Sequence, residues 1–171
     1  MLSTTREVTT VALLTAAGIA LFVIESFIPM PLPFLKIGLA NISSVVTIMS
    51  LGIPEMFLVV ILRVIIGSML IGSVFTPGFV LAFSGGLTSA AMMAIARAIR
   101  KDLFSAVGIS LIGAMTHVGT QFVLVMAVYV RNTSLLSLLP VLLLSGLAGG
   151  LVVGWIASRL IHLLRSIRLS S

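Results

Sequence analysis

The sequence predicts an all-α integral membrane protein, a bundle of six transmembrane helices with both termini on the cytoplasmic side. Three observations predict it. Hydrophobic residues make up 60% of the chain and charged residues 8%, against about 25% charged in soluble domains. The apolar residues fill successive stretches broken only at proline, glycine and charge clusters. Lysine and arginine gather at one set of stretch ends. Such a chain has no polar surface to offer water, so lipid is its solvent. Its 171 residues allow one domain, 1–171, rather than an anchor attached to a soluble head.

A spanning helix needs about 20 mostly apolar residues. The first predicted span covers residues 8–28. It is too long for the apolar region of a signal peptide, and no small-residue cleavage site follows it. It stops at PMPLP, where Pro29, Pro31 and Pro33 exclude a helix. The second, residues 38–51, is shorter and more polar. Gly52 and Pro54 turn the chain, and the third span covers 54–71, opening on a proline at a favoured first helical position. GSVFTPG is predicted as a loop, and the fourth span, 79–98, ends in RAIRKD. The fifth, 103–130, is long enough to tilt or to be two pieces. RNTSLLS is predicted as a loop, and the sixth span covers 138–161.

Basic residues orient such bundles, because cytoplasmic loops are rich in them. Arg6, Arg97, Arg100, Lys101, Arg159, Arg165 and Arg168 fall on one side, and only Lys36 and Arg131 on the other. That bias places both ends inside, as an even span count does. It also accounts for the net charge of +6 without nucleic acid. With no cysteine, neither a disulfide framework nor a thiolate metal site is available, and no cofactor is implied.

Small residues recur every fourth position on two spans: Ala12, Ala16 and Ala20 on the first, and Gly146, Gly150 and Gly154 on the last. Such stripes let helix backbones approach closely. The glycines read as packing within the bundle. The alanines fit that use and a docking face for another membrane protein equally well.

Five polar residues stand inside apolar stretches: Glu25, Asn41, Arg63, His117 and Gln121. A charge at a helix centre costs roughly 2.5–3.5 kcal/mol on insertion scales. At 1.5 Å per residue, Arg63 lies about 14 Å from the inner side, His117 and Gln121 roughly 20 and 26 Å, and Glu25 about 25 Å. Asn41 lies within a turn of the outer end of its span. Four spans thus deliver polar groups between the midplane and the outer surface. Singly, each serves helix packing as readily as a ligand, and Glu25 and Arg63 fit an ion pair. As a set, they point to an outward-facing pocket that binds a small molecule. Lys36 stands at its mouth, and the PMPLPFLK and TPG loops lie over the same side as candidate lids.

No relay of carboxylates crosses the membrane, since Glu25 is the one acid within a span, which argues against autonomous proton-coupled pumping. GGLTSA lacks the lysine and following Ser/Thr of a phosphate-binding loop. Any energy therefore comes from a partner.

KIGLANI (36–42), LRVIIGSML (62–70), SGGLTSAAM (84–92), GISLIGAMTHVGTQ (108–121) and PVLLLSGLAGG (140–150) resemble, in order, the Gx transporter family, also described as heptaprenyl diphosphate synthase component I. Family members usually read HNxGQ where this chain has HVGTQ, so the histidine and glutamine match and the asparagine does not. The family in turn is similar to the substrate-binding S components of energy-coupling-factor importers in prokaryotic plasma membranes. That likeness implies an S-component-like six-helix fold and a small-molecule substrate, vitamin-like or a related metabolite, taken from the outer side. It also implies a membrane coupling subunit docked on an AxxxA pattern matched by Ala12, Ala16 and Ala20, and two ATPase subunits. The other description implies a membrane accessory to isoprenoid or quinone synthesis. Catalysis itself is not expected, because a Mg²⁺-diphosphate site needs clustered oxygen ligands and the chain has a single aspartate, Asp102.

Overall fold

In hydrocarbon each backbone N–H and C=O has to find its partner inside the chain, and a helix lets one segment do so alone. The structure, a computed structural model, describes residues 5–29, 38–99 and 103–169, and the side chains of all of these save 165 and 167–169. Its α-helices are α1 (Thr5–Ser26), α2 (Asn41–Ser50), α3 (Ile53–Leu70), α4 (Pro77–Ile99), α5 (Ala106–Leu124) and α6 (Leu139–Leu169). No strand occurs among the described residues.

Local chemistry sets several ends. Pro54 opens α3 within its first turn, where a missing N–H costs nothing. The Ser105 side chain accepts a hydrogen bond from the Gly108 N–H and caps α5. The long fifth stretch is divided, α5 being followed by a π-helical segment, Val125–Val130, that ends on Arg131 in the left-handed region. RNTSLLS, expected as a loop, is mostly a 3₁₀ helix, Thr133–Leu138, capped by the Asn132 side chain accepting from the Ser134 N–H at 2.9 Å.

Five helices, not the expected six, are long and apolar enough to cross a membrane. The exception is the second. Its 10 residues rise about 15 Å, half of a hydrocarbon core of about 30 Å. It is nevertheless the hub of the bundle, packing against α1, α3, α5 and α6, with Val45, Ser44 and Thr47 wholly inaccessible. Two of its hydroxyls turn back onto the backbone, Ser43 Oγ donating to Ala40 O at 2.9 Å and Thr47 Oγ1 to Ser43 O at 2.6 Å, while the buried Ser44 hydroxyl has no partner among the described residues. Such bonds let Ser43 and Thr47 sit in a dry core.

Close approaches fix the helix directions. Gly18 of α1 meets Arg63 of α3, and Phe22 meets Gly67, so α1 and α3 run the same way. Gly86 of α4 meets Val60 and Val64 of α3, while Leu81 pairs with Gln121 and Gly113 meets Ser89 and Met93 across α4 and α5. On α6, Gly146 meets Val118, and Gly154 meets Val107 of α5. From α3 onward neighbours are therefore antiparallel. The chain leaves the end of α1 and returns through α2 before α3 starts, so α2 supplies the return stroke although it spans only half the depth.

The two small-residue stripes part company. Gly146, Gly150 and Gly154 are buried against α5, and Ser110 Oγ donates to the Gly150 carbonyl at 2.8 Å. Ala12, Ala16 and Ala20 are all exposed on the outer face of α1.

Candidate functional site

The helix directions bring the C-terminal halves of α1, α3 and α5 together with the N-terminal ends of α2 and α4. Glu25, Asn41, Arg63, His117 and Gln121 meet there, lining one cavity with Phe22, Gly38, Ala40, Val64 and Ala82. Lys36 and the PMPLP run beyond Pro29 lie outside the described residues, as do Arg100, Lys101 and Asp102.

Each polar side chain arrives for a local reason. Glu25 sits in the last turn of α1, 4% exposed, and its carboxylate accepts a hydrogen bond from the Gly38 backbone N–H. Gly38 has φ +83°, a left-handed conformation open to glycine at little cost, and that turn aims its N–H at α1. Three residues on, Asn41 starts α2, and its Oδ1 accepts from Arg63 Nη2 at 3.0 Å. Arg63 is 3% exposed and fits because α1 has a glycine opposite. A Cβ at Gly18 would lie 3.1 Å from Arg63 Cδ and 2.5 Å from Ser43 Oγ. The His117 ring lies against Gly85, where a Cβ would come within 3.0 Å of Cε1 and Nδ1. Gln121, one turn further along α5, donates from Nε2 to the Leu81 carbonyl at 3.4 Å.

No ion pair joins Glu25 and Arg63 among the described residues; each is tied instead to the turn that leads into α2. Arg63 Nε and Nη1 are buried and have no hydrogen-bond partner among the described residues. A charged donor left so in low dielectric carries a large desolvation cost.

The cavity is small, about 30 Å³, enough for one or two waters. A second cavity of about 20 Å³ adjoins it and shares Gly38, Asn41 and His117, its other walls being α5 and the glycine-rich face of α6. Two residues of the turn 38–41, Gly38 and Asn41, thus line both spaces, as His117 does. No cluster of three or more His, Cys, Asp or Glu is placed to hold a metal ion among the described residues. What the site can do is bind: it offers a carboxylate, a guanidinium, two amide side chains and an imidazole inside an apolar shell.

Sequence reasoning named the polar members and missed their supports. Gly38, Gly85 and Gly18 are what let the polar groups enter, and Phe22, Ala40, Val64 and Ala82 wall them in. Gly38 stands inside KIGLAN and Gly85 inside SGGL, so a signal existed, but a glycine in an apolar stretch does not say which neighbour it admits.

No curated protein and no solved structure matches the chain. A family does. Residues 14–160, which include every residue lining the polar cavity, match a family described as heptaprenyl diphosphate synthase component I, and this chain, a multi-pass helical membrane protein, belongs to that family.

Proposed function

We propose that the protein is a substrate-binding membrane subunit of an energy-coupling-factor-type importer, taking a vitamin-like small molecule or related metabolite from the outer side. One observation carries this reading: a cavity lined by five polar residues from four helices, two of them opposite charges that are each hydrogen-bonded to the turn 38–41 rather than to each other. Polar groups held in a bundle are expensive, and a ligand is the usual return for that expense. Arg63 would hold an anionic group, and His117 and Gln121 would orient polar edges. Among the described residues Arg6 and Arg97 lie at the ends of α1 and α4 away from the cavity, Arg159 lies in the C-terminal part of α6 on that same side, and Arg131 lies beyond α5 on the cavity's side. The positive-inside bias therefore supports an inward N-terminus, an inward C-terminus and a cavity nearer the outside.

Ala12, Ala16 and Ala20, exposed and small, offer α1 to a membrane coupling subunit that would carry two ATPases. The protein itself is no enzyme in this reading. The test is mass spectrometry of small molecules that copurify with the intact protein. A compound present with the native chain and lost in both Arg63→Ala and His117→Ala supports the pocket; retention in both sinks it.

The family's description favours a second reading, a non-catalytic membrane accessory of heptaprenyl diphosphate synthesis. It predicts stable association with a soluble prenyltransferase and higher activity of that enzyme on reconstitution. Substitutions in the cavity would then leave the stimulation intact.

A further inference from the structure

Glu25 and Arg63 face the same cavity without pairing, and the turn 38–41 occupies both: Gly38 N–H on the carboxylate, Asn41 Oδ1 on the guanidinium. Opposite charges buried in low dielectric attract strongly, so keeping them apart on separate helices is an arrangement that something between them has to justify. The turn does so only in part. It uses one nitrogen of Arg63, leaving Nε and Nη1 buried without a partner among the described residues. It brings Glu25 one neutral backbone donor in place of a cation.

We propose that the ligand of this cavity is a small amphoteric molecule, whose anionic group takes Arg63 and whose cationic group takes Glu25, displacing the turn 38–41 as it binds. The proposal rests on the reading of the cavity as a binding site and names its substrate class. A ligand with only an anion would answer Arg63 and be repelled by Glu25. One with only a cation would do the reverse, and a neutral ligand would match neither charge. A molecule carrying both satisfies both with no net change of buried charge, which is the cheapest way to fill a site of this composition.

Size gives the second half of the inference. About 30 Å³ admits no organic molecule, and neither does the adjoining 20 Å³. The two spaces share Gly38, Asn41 and His117 as wall residues, and the first two of these bond the two charges. Moving this turn aside therefore frees Glu25 and Arg63 and in the same step removes two of the three residues that wall both spaces. Ligand charge and opening of the site are coupled: the ligand competes for the same two hydrogen bonds that keep the turn in place.

The test is equilibrium dialysis of the full-length protein in lipid nanodiscs against the water-soluble, low-molecular-weight extract of its expression host, with retained compounds identified by mass spectrometry. The expected result is retention of compounds bearing both a cationic and an anionic group, reduced at least tenfold in Glu25→Gln and in Arg63→Gln. Retention of compounds with a single type of charge, or of neutral ones, overturns the amphoteric assignment and leaves the binding-site reading standing. Retention of nothing by the native protein overturns both. The charge class is read on the native chain, so a variant that fails to fold does not blunt the test. Asn41→Ala, which leaves both charges in place and removes the competing acceptor, is expected to raise affinity for the retained compound; lowered affinity overturns the displacement of the turn.

Discussion

Arg63 shows what a single residue is asked to do in this bundle. The residue is 3% exposed, and its guanidinium's one hydrogen bond among the described residues goes to Asn41. A hydrogen bond to a charged group contributes about 1.5–3 kcal/mol. Asn41→Ala is therefore expected to destabilise the ligand-free protein by about that amount, read as a lower melting temperature in detergent; a loss under about 0.5 kcal/mol would mean that the bond is idle. Gly85 acts differently, by being absent. A Cβ there would sit 3.0 Å from the His117 ring, so Gly85→Ala pushes the imidazole into the cavity. The expected outcome is about a tenfold loss of ligand affinity, or 1.4 kcal/mol, with little change in melting temperature. Unchanged affinity would show that His117 has room to turn. Glu25, Asn41, Arg63, His117 and Gln121 could all be picked from the sequence because a polar side chain in an apolar stretch is conspicuous. The partner of Glu25 could not, since Gly38 donates through its backbone N–H, which every residue type but proline has.

At the scale of elements, two stripes with the same spacing have opposite fates. Gly154 lies so near α5 that a Cβ would be 2.6 Å from Val107 Cα. Backbone cannot rotate away as a side chain can, so Gly154→Ala has to separate two helices and is expected to cost about 1–3 kcal/mol. Ala16 is exposed. Ala16→Leu is expected to change stability by no more than about 0.5 kcal/mol while preventing copurification of a membrane coupling subunit. A large stability loss with Ala16→Leu would place that face inside the bundle's own packing. Spacing announces that helices can approach; it does not say whether the neighbour is the same chain. The second helix makes a related point. Its apolar stretch is visible in the sequence, but Gly38 and Asn41 are recruited to the cavity, and α2 begins only at Asn41 and runs 10 residues.

For the whole molecule, direction is the quantity to test. α1 and α3 run parallel, so the turn after α3 lies at the opposite end from the start of α1. The chain has no cysteine, which makes single-cysteine variants clean reporters. A membrane-impermeant maleimide applied to intact cells is expected to label Thr76→Cys and Ser134→Cys, and to reach Thr5→Cys and Ser166→Cys only after permeabilisation. Labelling of Thr5→Cys and Thr76→Cys from the same side would overturn the arrangement, and the inward placement of both termini would go with it.

What the sequence determined by itself is the solvent, the helical class and which polar residues stand in apolar stretches, because each follows from the energy of single groups in hydrocarbon. Apolar stretches gave six expected spans, of which the structure leaves five long and apolar enough to cross, and any charge among them is visible against that background. The tertiary structure alone decided that α2 is a helix of only 10 residues starting at the cavity, that the glycines face inward and the alanines outward, and that Glu25 and Arg63 line one cavity with each bonded to the turn 38–41. Those outcomes depend on which surfaces meet, and contact between segments dozens of residues apart leaves no trace in the period or composition of either.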